Sequence, residues 1–441
     1  MKAALTTLGC KVNHYETEAM RELFVQDGWE IVPFSEVADV YVVNTCTVTQ
    51  TSDTKSRQMI SRAHRMNPEA LVVAVGCYAQ TAPEAVSVLE GVGLVIGTSG
   101  RKEIIIRVKK TLAARASKQY VSPEKIEALA AGAEESVVSP IYEMRAFEPL
   151  SAVRDSRTRA TLKIQDGCVN FCSYCIIPYA RGPLRSRPPE EISGEVDALA
   201  REGYREIVLT GIHLASYGRD LPEPDITLLD AIARASEPDG IRRIRLGSLE
   251  PLFVTESVAK ALSENPKICR QFHLSLQSGS DAVLSRMNRR YTAKEYLHAV
   301  GLLRAYMPDC AVTTDVIAGF PGETEEEHRE TLAFCERAAF ARMHVFPFSL
   351  RKGTKAEQLP GHLPKAVKEA RAKELIDLGK RLTQAYLFSQ TGSVVEVLAE
   401  SDGTGYSGNY IRVQTAAPEG EIVCIRLDGF HGETAFGTQM D

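Results

Sequence analysis

Cys168, Cys172 and Cys175 stand in the stretch GCVNFCSYC (167–175), spaced Cys-x3-Cys-x2-Cys, and the next cysteine is Cys269. Thiolates at such spacing hold zinc or an iron–sulfur cluster. A structural zinc tetrahedron needs a fourth ligand, and the nearest histidine is the distant His213. A cubane held by three thiolates instead leaves one iron without a protein ligand, open to a substrate or cofactor. The competing reading is a non-catalytic zinc-bound RNA-binding protein whose cysteines only staple the fold.

A second set of three, Cys10, Cys46 and Cys77, follows apolar runs in LGC, NTC and VGC. Those runs lie in KAALTTLG, DVYVVN and ALVVAVG. They alternate with helical stretches, one from about His14 to Asp27 capped by Asn13 and one near Asp53–Met66. Strands alternating with amphipathic helices predict a parallel sheet with both faces covered. In such a sheet the loops at the carboxyl ends of the strands line one crevice, so the three cysteines can converge there. The bland alternative is three buried structural cysteines.

The elements that must position the first triad begin at Thr161. Strand candidates TLKIQDG, EIVLTGI, IRRIRLGS, FHLSLQSG, AVTTDVIAGF and ARMHVFPFS are separated by helices such as Pro189–Glu202 and Thr324–Ala338, the latter opened by a Thr324/Glu327 capping box. Six β/α units predict a partial (β/α)6 barrel with chemistry on the loops after the strands. From about Arg381 the pattern changes to GSVVEVLAE, NYIRVQT and EIVCIRL between Gly-rich turns, a small all-β barrel. GTGYSG (403–408) matches G-x-G-x-x-G, but a strand follows it, so it reads as a hairpin turn. The expected α/β organisation is residues 1–110, a connector 111–158 without strand signals, the barrel 159–378 and the all-β unit 379–441.

The chain has 441 residues, ten cysteines and a formal net charge of −5. That balance argues against a generally basic nucleic-acid binder, so any RNA contact is local. No run of about 18 apolar residues and no signal peptide occurs. A cytoplasmic protein with reduced thiols and no membrane is expected.

The Cys-x3-Cys-x2-Cys loop after the first barrel strand, with Tyr174 before its last cysteine, resembles the radical S-adenosylmethionine enzymes. TLGCKVNHYETE, NTCTVT, VGCYAQ, CSYCIIPYARGPLRSR, LTGIHLASYG, HLSLQSGSD, DVIAGFPGETEEE and GNYIRV extend the resemblance to the methylthiotransferases over nearly the whole chain. It implies two [4Fe-4S] clusters, one on Cys168, Cys172 and Cys175 that binds S-adenosyl-L-methionine, and one on Cys10, Cys46 and Cys77. It also implies cofactor contacts from Tyr174, Thr210, Gly211 and Gln277, and likens the C-terminal barrel to a TRAM domain that contacts RNA. A purine C–H is not acidic and offers no leaving group, so replacing it with sulfur demands the cofactor's radical chemistry. Implied partners are a tRNA anticodon loop, an electron donor of flavodoxin or ferredoxin type and a sulfur donor.

LGCKVNHYETE and CSYCIIPYARG look like the branch acting on N6-threonylcarbamoyladenosine beside the anticodon. The isopentenyladenosine branch reads closer to YGCQMN and the branch acting on a ribosomal-protein aspartate closer to LGCPKN. Candidate phosphate contacts are Arg154, Arg157 and Arg159 before the cluster loop and Arg181, Arg185 and Arg187 after it, Arg181 or Arg185 also being placed for the threonyl carboxylate. Residues 381–441 hold three Arg and no Lys against eight Asp plus Glu. Such a tail is left with Arg412 and Arg426, or with stacking by Tyr406 and Tyr410, to meet RNA. Cys269, Cys310, Cys335 and Cys424 lack partner spacing and read as small core hydrophobes.

Overall fold

The computed structural model describes residues 1–118, 135–151 and 158–440. The expected contacts Arg154 and Arg157 lie outside them. Strands β1 (Lys2–Thr7), β2 (Glu30–Ile31), β3 (Val40–Thr45), β4 (Leu71–Gly76), β5 (Val92–Ile96) and β6 (Glu135–Val137) form one sheet in the order β2-β1-β3-β4-β5-β6. Every pairing is parallel. β3 and β4 are buried along their whole length. Successive side chains of a strand point to opposite faces, so Tyr41 and Val43 feed one apolar core while Val40 and Val42 feed another.

Two local expectations are corrected. The first helix spans Lys11–Gln26 with Cys10 at its N-cap, so Asn13 is not the cap. Its amide donates instead to Leu8 O and Thr45 O at 2.8 and 3.0 Å, tying the ends of β1 and β3 together. The connector also contributes a strand, β6, whose pairing to the edge of β5 supplies the order that its sequence pattern does not.

The central unit holds β7 (Arg159–Asp166), β8 (Arg185–Ser186), β9 (Glu206–Gly211), β10 (Arg243–Leu246), β11 (Gln271–His273), β12 (Ala311–Ala318) and β13 (Arg342–Pro347). They form two hydrogen-bonded rows, β10-β9-β7-β8 and β11-β12-β13. Parallel bridges Ile244–Ile268 and Leu249–Leu274 join the rows. Six strands are parallel, as expected of the partial barrel, while β8 runs antiparallel on the outer edge of β7.

Helix Lys365–Ser389 crosses the expected 378/379 boundary and leads into β14 (Val394–Ala399), β15 (Thr404–Ser407), β16 (Arg412–Gln414), β17 (Ile422–His431) and β18 (Thr434–Gln439), a closed barrel. GTGYSG forms the β14–β15 hairpin and its second strand. Cys269, Cys310 and Cys335 are buried but Cys424 is exposed, which corrects its core assignment, because it lies on an outward position of β17.

The three units are fastened by arginines. Below the central barrel, the Arg245 guanidinium lies 4.5 Å over the Tyr410 ring, and Arg159 lies 5.2 Å over Tyr406 while pairing with Glu400. Tyr406 and Tyr410 stack on each other, 4.9 Å apart. These aromatic faces and Arg159 are therefore committed to domain contact, which corrects their reading as RNA contacts. Arg412 and Arg426 pair with Asp402 and Asp428. Above it, Thr98 Oγ1 donates to Ala180 O at 2.7 Å. Among the described residues no helix is long and apolar enough to cross a membrane.

Candidate active site

β1, β3 and β4 are neighbours and end together, so the residues that follow them share one crevice. Cys10, Cys46 and Cys77 do meet there. A Cβ on Gly9 would lie 2.8 Å from Cys46 Sγ, so the backbone before Cys10 runs directly over Cys46. The thiols of Cys10 and Cys77 both reach Asn13 Oδ1, at 3.9 and 3.8 Å. Gly76, at φ +98°, turns the chain into Cys77, where a Cβ would lie 2.3 Å from Asn44 Oδ1. Only glycine tolerates that conformation and that closeness.

The second triad follows β7. Gly167 takes φ +76°, and a Cβ there would sit 1.8 Å from Pro183 O. Cys168 N donates to Gly182 O at 3.0 Å and Cys175 N to Cys172 O at 2.9 Å, closing the loop on itself. Tyr174 turns its ring edge to Phe320, 6.3 Å away. Thr210 and Gly211 end β9, and Gly211 lies against Gln165, leaving no room for a side chain. Gln277 holds φ +70°, a strained value for a non-glycine residue, between hydrogen bonds to Asp315 and Ile317.

A buried charge network runs from Cys77 to the end of β7, two residues before Cys168. Glu16 receives Lys163 at 2.8 Å, Arg101 at 2.5 Å and Arg181 at 2.5 and 2.9 Å. Arg181 also donates its Nε to Cys77 Sγ at 3.3 Å and Nη2 to Asn13 Oδ1 at 2.7 Å. Asp166, two residues before Cys168, pairs with Lys163 at 2.5 Å and with Arg181 and Arg185 at 3.4 Å. Burial alone would raise the Glu16 carboxyl, but Arg101, Arg181 and Lys163 hold it down at about 2. Asp166 is likewise held well below the usual range against its burial. Arg181, Arg185 and Arg187 are at most 3% exposed, so none of them can meet phosphate or a threonyl carboxylate, correcting that expectation.

A second network lies beneath the barrel loop. Glu250 accepts from Asn170 at 3.0 Å, sits 3.2 Å from His213 Nε2 and pairs with Arg289 at 3.1 Å. Arg289 Nη1 donates to Cys172 Sγ at 3.3 Å. Beside it a cavity of about 510 Å³ is lined by Asn170, His213, Glu250, Leu252 and Arg290. A second cavity, of about 660 Å³, is lined by Asp281, Glu326, Glu330 and Arg337 among others, and neither cavity is lined by a cysteine.

Both triads fit iron–sulfur ligation. Burial pushes the thiols of Cys10, Cys46 and Cys77 up, and Arg181 opposes it at all three. Cys168 is pushed to about 11 and Cys175 to about 12, again by burial, with Arg289 opposing. Thiolates beside a fixed cation and out of water are the donor set that iron takes.

Sequence reasoning missed Glu16, Asn170, His213, Glu250 and Arg289. Asn13 and Glu16 follow Cys10 at helical spacings of three, a signal that they share its face. Glu250 and Arg289 carry no such signal, since only the barrel's closure brings them to Cys172.

Residues 162–335 match the Radical SAM superfamily, and residues 2–97 match Uncharacterized protein family UPF0004. The threonylcarbamoyladenosine tRNA methylthiotransferase MtaB of Bacillus subtilis (strain 168) is 41% identical over 438 residues, covering 96% of this chain and 93% of its own. The chain belongs to the radical S-adenosylmethionine methylthiotransferases. The protein of that name from Aquifex aeolicus (strain VF5) is 38% identical, covering 94% of this chain and 96% of its own. A tRNA-2-methylthio-N(6)-dimethylallyladenosine synthase from Thermoanaerobacter sp. (strain X514) is 34% identical over 90% of this chain and 81% of its own. In fold, the chain is similar to the radical S-adenosylmethionine methyltransferase TsrM from Kitasatospora setae, with TM-score 0.56 and 17% identity over 80% of this chain and 76% of that one. The protein is thus an enzyme, a transferase whose cofactors are S-adenosylmethionine and [4Fe-4S] iron–sulfur clusters.

Proposed function

We propose that the enzyme methylthiolates carbon 2 of N6-threonylcarbamoyladenosine at position 37 of tRNA, next to the anticodon. The observation that carries this is the presence of two cysteine triads, one at the strand ends of the N-terminal sheet and one on the first loop of the barrel, in a chain up to 41% identical to relatives of that activity. Cys168, Cys172 and Cys175 hold the cluster that binds S-adenosylmethionine, and Cys10, Cys46 and Cys77 hold the second. When bound, these groups supply one-electron chemistry at a C–H that no acid or base can activate.

The chain's own residues bind, orient and exclude water. Tyr174, Thr210, Gly211 and Gln277 line the strand ends where the cofactor lies. Lys11, exposed beside Cys10 at the start of the first helix, is the cation we assign to the threonyl carboxylate. An anticodon-loop base is unpaired, so it can be drawn out singly and read by its edges. A cytoplasmic setting keeps the ten thiols reduced. There a flavodoxin- or ferredoxin-type donor supplies the electrons and a separate donor the sulfur.

Nucleoside mass spectrometry of tRNA from cells with and without the protein tests this. Loss of 2-methylthio-threonylcarbamoyladenosine, with its precursor accumulating, is the expected result. Loss of the dimethylallyl (isopentenyl) product instead would move the enzyme to the sister branch.

A further inference from the structure

Each triad has one sulfur that receives a guanidinium hydrogen bond of the same length: Arg181 Nε to Cys77 Sγ and Arg289 Nη1 to Cys172 Sγ, both 3.3 Å. Neither guanidinium is free to move away. Arg181 is 0% exposed and held by both oxygens of Glu16 and by Asn13. Arg289 has a side chain 7% exposed, held by Glu250 and by Tyr291 Oη at 3.0 Å. The two sets share no residue, so they form separate devices.

We propose that Arg181 and Arg289 are positioning residues that set the reduction potentials of the two clusters independently, each by donating to one ligating sulfur. The inference rests on the reading that the six cysteines hold two clusters. One-electron reduction places extra negative charge on a cluster and its thiolates. A fixed cation with an N–H on one of those sulfurs stabilises the reduced form more than the oxidised form and raises the potential. Burial keeps water from screening the effect. Sites with no shared partner act additively, so each arginine should move its own cluster alone.

The competing explanation is that Arg181 merely clasps two domains through Glu16. Arg101 separates the two ideas. It pairs with the same carboxylate at 2.5 Å and with Glu148 at 2.9 Å, yet the hydrogen bonds it makes reach no sulfur. Loss of Arg101 strains the clasp and leaves the sulfur bond.

The test is a redox titration followed by electron paramagnetic resonance on the full chain, anaerobically loaded. Backgrounds carrying three Cys→Ala changes in one triad isolate the other cluster. Iron is counted first: a wild-type chain with about four irons instead of about eight overturns the two-cluster reading and the proposal with it. With both clusters present, Arg181→Met should lower the Cys77 cluster's potential by a tenfold shift in its one-electron equilibrium, about 59 mV, and leave the barrel cluster unmoved. Arg289→Met should do the reverse, and Arg101→Met should move neither. If Arg181→Met fails to load, Arg181→Lys carries the test, since it keeps the charge for Glu16, loses the planar Nε donor and should give a smaller shift of the same sign. Unmoved potentials in loaded Arg181 and Arg289 variants would overturn the proposal, as would an Arg101→Met shift equal to that of Arg181→Met.

Discussion

Arg351, on the loop after β13, donates to Asp53 Oδ2 at 2.7 Å and to Thr47 Oγ1 at 2.6 Å, gripping the segment that follows Cys46. The pair is mostly buried, so losing one partner strands the other at about 1–3 kcal/mol. Arg351→Ala is expected to cut methylthiolated product at least tenfold. Release of 5′-deoxyadenosine should fall much less, because the barrel triad is untouched. Parallel assays of both products check this.

Ligand changes should separate the two triads. Cys172→Ala is expected to abolish cofactor cleavage while about four irons remain per chain, and Cys46→Ala to keep cleavage but stop sulfur insertion. Product from the Cys46 variant would remove that triad from the sulfur step.

Buried thiols make the metal-free protein sensitive to alkali. Cys168 and Cys175 are raised to about 11 and about 12 when folded, against about 8.5 for an exposed thiol. A folded value above the unfolded one means stability that is complete below about pH 8.5 and is lost as pH rises through the folded values. The apoprotein's melting temperature should therefore fall between about pH 8.5 and 12, and Cys175→Ala should flatten the fall. Iron binding requires the deprotonated thiols, so loading should tighten with rising pH and release protons.

Tyr410→Ala tests the role of the C-terminal barrel. The ring lies against buried Arg245 but is itself partly open to solvent, and losing that cation–π contact costs on the order of 1 kcal/mol. Lower unfolding free energy with unchanged tRNA affinity is expected. A large affinity loss at unchanged stability would return this tyrosine to RNA binding.

Lys11→Gln should raise KM for a threonylcarbamoyl stem-loop tenfold or more, the worth of about 1.5 kcal/mol for a hydrogen bond to a charged group. Turnover at saturation should hardly change. A stem-loop lacking the carboxylate should bind the two proteins equally. Equal discrimination by wild type and variant would clear Lys11 of the role.

What was legible in the sequence was whatever repeats with a period or a fixed spacing. The β3 and β4 runs and the six barrel strands showed as apolar runs of strand length, and both cysteine triads showed by their place after strands. Arg181 looked available because basic residues usually face water, and only the packing of Glu16 and Asp166 around it makes burial tolerable. Tyr406 and Tyr410 misled for the opposite reason: an aromatic pair on a small β-barrel suits RNA, but its partner here is Arg245, far away in the chain.

The N-terminal sheet is fastened to the barrel at two places, through Arg181 after β7 and Arg351 after β13, the first and last of the barrel's six parallel strands. A cover hinged at one place can swing, but one latched at two cannot open without breaking a latch. The sheet is thus a fixed roof over the barrel and not a lid.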